Sequence, residues 1–242
     1  MKKQIPNLIT LCNLLCGVFS CIFAYEETLH IAALFICLGI FFDFFDGMAA
    51  RLLGVASPLG KELDSLADVV TSGVAPGMIL YVILAQITDI PWLKYLALLI
   101  PLFAAYRLAK FNLDTRQSHS FLGLPVPANA LIWVGIALYC RLPYTNNSLF
   151  FDGIHNTLAF ILIAISLTTN ILMISELPMF SLKFNFKEMS WKNNAIQYLF
   201  LAGSAAIAAV CIATHIIWLS ISLIILWYIL LSIITRKQSN VH

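Results

Sequence analysis

Long apolar segments separated by short polar joints run along the whole chain. A helix needs about 20 mostly apolar residues to cross the hydrocarbon core of a bilayer. Eight segments approach that length, near residues 7–25, 29–52, 60–86, 91–113, 124–142, 156–176, 194–213 and 215–235. Only a polar break at Thr214 and His215 separates the last two. The pattern predicts an all-α integral membrane protein, a bundle of about eight transmembrane helices.

Composition supports a membrane protein. Of the 242 residues, 61% are hydrophobic and 11% are charged, whereas soluble domains carry about 25% charged residues. Too few polar side chains remain to cover a surface in water, so lipid must be the solvent. The six cysteines lie in apolar segments without metal-ligand spacing, which favours buried small side chains. A net charge of +2 gives no reason to expect a nucleic-acid partner.

The distribution of Lys and Arg predicts an orientation. With a cytoplasmic N-terminus and eight alternating helices, 12 of the 14 cations fall on the cytoplasmic side. Only Lys94 and Arg141 fall outside. Short cytoplasmic loops are enriched in Lys and Arg, so this orientation, with a cytoplasmic N-terminus, is the expected one. We expect a multi-pass protein of the cell (inner) membrane. The joints after the second and fourth helices then share the cytoplasmic face.

Two aspartates precede and two follow the joint between the second and third predicted helices. They are Asp43, Asp46, Asp64 and Asp68. Residues three or four apart share one face of a helix, and the joint is short enough to make the two helices antiparallel neighbours. We therefore expect four carboxylates to converge just below the cytoplasmic membrane surface.

This concentration of negative charge needs compensation. Carboxylates are costly inside a membrane, and like charges at short range repel. The nearby cations are Arg51 and Lys61, while Glu62 adds another negative charge. Oxygen ligands without His or Cys favour Mg²⁺ or Mn²⁺ over zinc. Two such ions can hold both the attacking and the leaving oxygen in a phosphoryl transfer.

Gly47, Gly60 and Arg51 suit a nucleotide beside the aspartates. The two glycines remove side chains where a ligand would lie against the helix backbone, and the planar guanidinium of Arg51 suits a phosphate. Each of these residues taken singly has an ordinary structural explanation. Their combined spacing is the specific signal.

The spacing Asp-x2-Asp-Gly-x2-Ala-Arg-x8-Gly-x3-Asp-x3-Asp, from Asp43 to Asp68, resembles the signature of the CDP-alcohol phosphotransferase family at every position. The resemblance implies a helical membrane enzyme, generally a homodimer with a six-helix catalytic core. Such enzymes displace CMP from a CDP-alcohol with a second alcohol. The resemblance also implies that the four aspartates hold two divalent ions, and that Asp68 deprotonates the acceptor hydroxyl.

The same resemblance implies contacts to the CDP moiety. The first helix begins Pro6-Asn7-Leu8-Ile9-Thr10, similar to the Pro-Asn-x-x-Thr start of the family. The residues implied to contact CDP are Asn7, Thr10, Gly47, Arg51 and Gly60. No Ser/His or Cys/His nucleophile pair is evident near the aspartates, which favours direct displacement in a ternary complex.

Two further segments resemble the phosphatidylserine synthases within the family. Residues 107–112 read Arg-Leu-Ala-Lys-Phe-Asn and residues 123–129 read Gly-Leu-Pro-Val-Pro-Ala-Asn; Lys110 and Asn129 depart from the usual forms. The resemblance implies CDP-diacylglycerol as donor, L-serine as acceptor, and Arg107, Lys110 and Asn112 as acceptor contacts. Cations suit any anionic acceptor, so the choice of serine depends on the resemblance.

Two alternatives remain at this point. A member of the same family could make phosphatidylglycerol phosphate or phosphatidylinositol phosphate, since those acceptors are also anionic. A cation transporter would instead place carboxylates near the bilayer midplane, often in repeated halves. Here they cluster at one end of two adjacent helices, which favours an enzyme.

The chain divides in sequence into two parts. The resemblance predicts a family core over residues 1–175, with six transmembrane helices. Residues 176–242 are then a cytoplasmic connection followed by two C-terminal transmembrane helices.

Overall fold

The computed structural model describes residues 4–113, 122–140, 155–180 and 195–239. Within these ranges every regular element is a helix, which confirms the predicted all-α class. The helices are α1 (Gln4–Tyr25), α2 (Leu29–Leu52), α3 (Pro58–Asp68), α4 (Ala75–Ile87), α5 (Leu99–Leu113), α6 (Val126–Cys140), α7 (His155–Ile174), α8 (Ala195–Ala213) and α9 (Leu219–Ser239). A π-helical segment, Val69–Val74, joins α3 to α4, and a 3-10 segment, Leu93–Leu98, leads into α5.

All eight predicted apolar segments contain helix. Six helical spans of the described residues are long and apolar enough to cross a membrane: Gln4–Tyr25, Leu29–Leu52, Pro58–Ile87, Leu93–Leu113, Asn156–Ile174 and Ala195–Ala213. In the fifth and eighth segments, the apolar helical stretches of the described residues are Val126–Cys140 and Leu219–Thr235. The predicted break between the last two is confirmed by a turn in which His215 has a φ of 59°.

The first two helices pack closely on the π-helical segment. Gly17 of α1 and Gly39 of α2 both lie against Thr71, and a Cβ at either position would overlap its atoms. The Thr71 hydroxyl donates a hydrogen bond of 2.9 Å to the backbone oxygen of Asn13. Small residues allow such close approach of membrane helices. The backbone just after Asp68 is therefore fixed against both α1 and α2.

The centre of the bundle is an apolar core between α2, α4 and α6. Ile36, Ile79, Leu80, Leu84 and Trp133 are fully buried there. Because lipid tails are as apolar as these side chains, close packing rather than exclusion of water stabilises this core. The core lies away from the ends of the helices, where the polar residues of interest collect.

The two C-terminal helices attach to the rest of the bundle through α6. The Ser222 hydroxyl of α9 donates a hydrogen bond of 2.6 Å to the backbone oxygen of Ile132. The absence of a side chain at Gly135 permits this close approach. Helix α8 packs on α9, where Gly203 leaves room for the indole of Trp227. These helices therefore form a layer outside the α1–α7 bundle.

The segment before α6 pairs with the segment after α7. The Gly123 N–H donates to the Leu177 oxygen at 2.8 Å, and the Leu124 N–H donates to the Leu172 oxygen at 3.0 Å. Gly123 has a φ of 74°, and a Cβ there would lie 2.7 Å from the backbone oxygens of both Met173 and Ser175. This position therefore requires glycine for its conformation and for space.

We expect Gly123→Ala to be more destabilising than Gly54→Ala. Gly54 also has a positive φ, of 63°, but a Cβ there meets nothing within 4 Å. A left-handed conformation costs about 1–3 kcal/mol for a residue other than glycine, and only Gly123→Ala adds steric overlap. The measurement is the fraction of detergent-solubilised protein that stays monodisperse after heating. Equal losses for the two variants would contradict the packing described for Gly123.

Candidate active site

Three carboxylates meet between α2 and α3. One carboxylate oxygen each from Asp43, Asp64 and Asp68 lies within 4.8 Å of the other two. Asp43 and Asp64 are close enough to share a hydrogen bond. Among the described residues, no Lys or Arg forms an ion pair with any of the three. The predicted convergence of α2 and α3 carboxylates is thus present for these residues.

The joint between α2 and α3 explains how the aspartates come together. The left-handed backbone at Gly54 turns the chain back after α2. Ser57 then caps α3, its hydroxyl oxygen accepting a hydrogen bond of 3.1 Å from the Gly60 N–H, and Pro58 occupies the first turn. Both residue types favour a helix start. The antiparallel return aligns the carboxylates of the two helices.

Asp46 stands next to the three and is held by α1. Its side chain is 6% exposed, and its carboxylate accepts a hydrogen bond from the Thr10 hydroxyl. It is close enough to interact electrostatically with Asp64 and Asp68. Thr10, which the family resemblance links to CDP, therefore contacts a carboxylate directly.

Asp68 is the most deeply enclosed member of the cluster. Its side chain is 9% exposed, and its Oδ1 accepts a hydrogen bond of 3.2 Å from the Asn13 amide. Arg107, itself 7% exposed, is close enough to interact electrostatically with Asp68. The π-helical segment begins directly after Asp68, and such segments are frequent at functional sites.

The carboxylate cluster fits a divalent cation. Asp64 has a buried carboxylate oxygen without a hydrogen-bond partner in the described part of the chain. The grouped atoms of Asp43, Asp64 and Asp68 are all carboxylate oxygens, the donor that Mg²⁺ and Mn²⁺ prefer. A bound cation would provide both the missing partner and the missing positive charge.

The residues linked to CDP lie around the cluster. A Cβ at Gly47 would meet nothing within 4 Å, so open space adjoins α2 beside Asp46. The Arg51 Nε–H donates to the Gly47 oxygen at 3.0 Å, and Arg51 is exposed. A Cβ at Gly60 would lie 3.3 Å from the Asn7 side-chain oxygen, so the starts of α1 and α3 adjoin.

Arg107 and Lys110 line one cleft at the end of α5. Met173 and Glu176 line the same cleft, and the Lys110 ammonium lies 3.6 Å from a Glu176 carboxylate oxygen. Arg107 is buried, whereas the Lys110 side chain is 38% exposed. The family resemblance implies that both residues contact the acceptor, and their shared cleft is compatible with that expectation.

Asn112 contacts a different part of the site. Its amide donates a hydrogen bond of 2.9 Å to the Ser65 hydroxyl, and its backbone oxygen accepts one of 3.0 Å from Lys61. It therefore ties the end of α5 to α3 and is absent from the lining of the Arg107 cleft.

Two features of the site were not predicted from the sequence. Glu176 lies in the cleft because the chain after α7 pairs with the segment around Gly123. The π-helical segment carries Thr71 and Ser72, both buried. The available signals were weak: an acidic residue at the end of an apolar segment, and the Thr-Ser pair within another.

Comparison with known proteins gives the family. A family model described as CDP-alcohol phosphatidyltransferase matches residues 3–172, which include all the aspartates of the cluster. A protein of Bacillus subtilis (strain 168) named CDP-diacylglycerol–serine O-phosphatidyltransferase is 43% identical over 126 residues, covering 52% of this chain and 70% of that protein. A Mycobacterium leprae (strain TN) protein of the same name is 37% identical over 139 residues, covering 54% and 46%.

A third relative extends the similarity to the archaea. It is the archaetidylserine synthase of Methanothermobacter thermautotrophicus, 32% identical over 178 residues, with coverage of 72% of this chain and 68% of that protein. The region matched by the family model is well over half of the chain and contains the whole aspartate motif. The chain belongs to the CDP-alcohol phosphatidyltransferase family.

Proposed function

We propose that this protein transfers the phosphatidyl group of CDP-diacylglycerol to L-serine, giving phosphatidylserine and CMP. The observation that carries the proposal is the cluster of Asp43, Asp64 and Asp68 oxygens at one end of the bundle, inside the family match. The names of the two bacterial relatives support CDP-diacylglycerol and serine as the substrates.

The CDP-lipid would bind with its pyrophosphate at the carboxylate cluster. Asp43, Asp46, Asp64 and Asp68 would hold two divalent ions, Mg²⁺ or Mn²⁺. When bound, such ions supply positive charge to the transferred phosphoryl group and to the departing CMP. The open space beside Gly47 and the adjoining starts of α1 and α3 leave room for the nucleotide. Exposed Arg51 can turn towards a phosphate.

Asp68 is the residue we assign as general base. It accepts the proton of the serine hydroxyl while the serine oxygen forms a bond to the phosphorus that carries the lipid. The bond between that phosphorus and the CMP oxygen breaks, and CMP leaves with the electron pair. Burial and the hydrogen bond from Asn13 keep the Asp68 carboxylate in place inside the bundle.

The Arg107 cleft is where we place the serine. Arg107 is buried, charged and close to Asp68, so it can bind the serine carboxylate while the hydroxyl faces the base. Glu176 in the same cleft pairs with Lys110, so the cleft offers both signs of charge to the carboxylate and the ammonium of serine. The cleft therefore suits an anionic or zwitterionic acceptor, and the choice of serine depends on the names of the relatives.

The alternatives are less well supported. A phosphatidylglycerol phosphate or phosphatidylinositol phosphate synthase would use the same carboxylates, but the bacterial relatives are named for serine as the acceptor. A cation transporter disagrees with membership of a transferase family.

The active-site end of the bundle would face the cytoplasm of the cell, as the distribution of cations indicates. The homodimer and the division of the chain at residue 175 stay predictions.

The metal requirement is the first prediction from this proposal. We expect CMP release from CDP-diacylglycerol to need a divalent cation and to stop in excess EDTA. Asp64→Asn should abolish turnover while the protein still folds, because it removes a cation ligand and relieves repulsion. The matched control is Asp89→Asn, at an exposed aspartate beyond the opposite end of α4. Full CMP release in EDTA would overturn the metal assignment.

The role of Asp68 can be separated from that of the other aspartates. Asp68→Asn should bind CDP-diacylglycerol with nearly unchanged affinity and lose at least about 100-fold in kcat, a typical contribution of a general base. The measurements are lipid binding in detergent and single-turnover CMP release. A parallel loss of affinity and rate would make Asp68 mainly a metal ligand.

Arg107 provides the test of the acceptor. Arg107→Ala should raise the KM for serine about 10–100-fold, since a hydrogen bond to a charged group is worth roughly 1.5–3 kcal/mol. The KM for CDP-diacylglycerol should barely change. Arg107→Lys keeps the charge without the planar guanidinium, so its KM for serine should lie between those of the wild type and Arg107→Ala. Lys110→Arg should be tolerated.

The same kinetic series should include glycerol 3-phosphate and inositol phosphate as acceptors. Turnover of the wild-type protein with serine and not with either phosphate is the expected outcome. Turnover with a phosphate-bearing acceptor and none with serine would reject the serine assignment and leave the family unchanged.

A further inference from the structure

The side chain of Asn13, on α1, contacts the side chain of Asp68 directly. It is fully buried, and its Nδ2 donates a hydrogen bond of 3.2 Å to Oδ1 of Asp68. Its backbone oxygen accepts the hydrogen bond from Thr71, in the π-helical segment that follows Asp68. One residue of α1 thus contacts both the Asp68 carboxylate and the backbone segment directly after it.

The surroundings fix the orientation of the Asn13 amide. Its Oδ1 has no hydrogen-bond partner in the described ranges, and a Cβ at Gly39 would lie 2.9 Å from that atom. A flipped amide would direct the carbonyl oxygen at the Asp68 carboxylate, and the two oxygens would repel. The N–H group is therefore the part of the amide that faces the aspartate.

A buried amide with an unpaired oxygen has an energetic cost. Leaving a buried polar atom unsatisfied costs about 1–3 kcal/mol. An asparagine that served only to join membrane helices would gain more by pairing both ends of its amide. Asn13 pairs one end, and that end reaches the carboxylate we assign as the base. The geometry suits control of a carboxylate orientation better than maximal stability.

We propose that Asn13 is a positioning residue for the transfer reaction. Its amide holds one oxygen of Asp68 and so directs the other oxygen towards the hydroxyl of the bound acceptor. The inference rests on the proposed function, because it takes Asp68 as the base. Asn13 itself touches neither substrate nor the transferred phosphoryl group in this role.

Three variants separate positioning from packing. Asn13→Leu keeps the branching of asparagine at Cγ, is larger and lacks the amide, whereas Asn13→Gln keeps an amide donor on a longer side chain. The matched control is Ser20→Ala on the same helix, since Ser20 is buried and its hydroxyl donates a hydrogen bond of 2.8 Å to the Ala32 oxygen of α2. That contact is two turns of α1 from Asn13.

We expect Asn13→Leu to lower kcat about 10–100-fold, the range given by the loss of a hydrogen bond to a charged group. The KM values for CDP-diacylglycerol and for serine should stay within about twofold, because the residue contacts neither substrate. Asn13→Gln should recover part of the lost kcat. Ser20→Ala should leave kcat unchanged, and the kinetics are measured on protein that remains monodisperse.

Each other outcome overturns a defined statement. An unchanged kcat for Asn13→Leu, with or without a lower thermal stability, rejects positioning and leaves a packing role. A raised KM with an unchanged kcat makes Asn13 a binding residue and also rejects the positioning role. A wild-type protein that releases no CMP in the presence of serine instead rejects the proposed function, independently of Asn13.

Discussion

Negative charge held inside a membrane bundle is the constraint on which the rest of this structure depends. Asp43, Asp64 and Asp68 bring carboxylate oxygens within 4.8 Å of one another, with Asp46 beside them. Such a group is stable only with compensating cations or hydrogen-bond donors. The surrounding elements supply donors in part, and divalent cations would neutralise the remaining negative charge and bind the phosphates of the substrate.

Helix α1 supplies the donors and α2 supplies the close packing. Thr10 and Asn13 lie three residues apart on α1 and bind Asp46 and Asp68 respectively. Gly17 and Gly39 bring α1 and α2 against Thr71, which fixes the π-helical segment below Asp68. The first helix is thus part of the candidate active site, together with the helices that carry the aspartates.

The local part of the site was predictable from the sequence, because it depends on helical spacing and on one short turn. Asp43, Asp64 and Asp68 follow that rule, as does the shared cleft of Arg107 and Lys110. Contacts between distant segments were not predictable. Glu176 reaches the cleft through backbone pairing with the segment around Gly123, and Asn112 turns to Ser65 instead of the cleft. No periodicity in the chain encodes either contact.

The most direct test of this account is the number of Mn²⁺ ions bound by the purified protein, measured by electron paramagnetic resonance with and without a CDP-lipid. We expect two Mn²⁺ per chain, close enough for their spins to couple, in the wild-type protein and in Asp89→Asn. Asp64→Asn should lose the coupled signal. Coupled Mn²⁺ retained by Asp64→Asn, or no specific Mn²⁺ binding by the wild type, would contradict the assignment of the aspartate cluster.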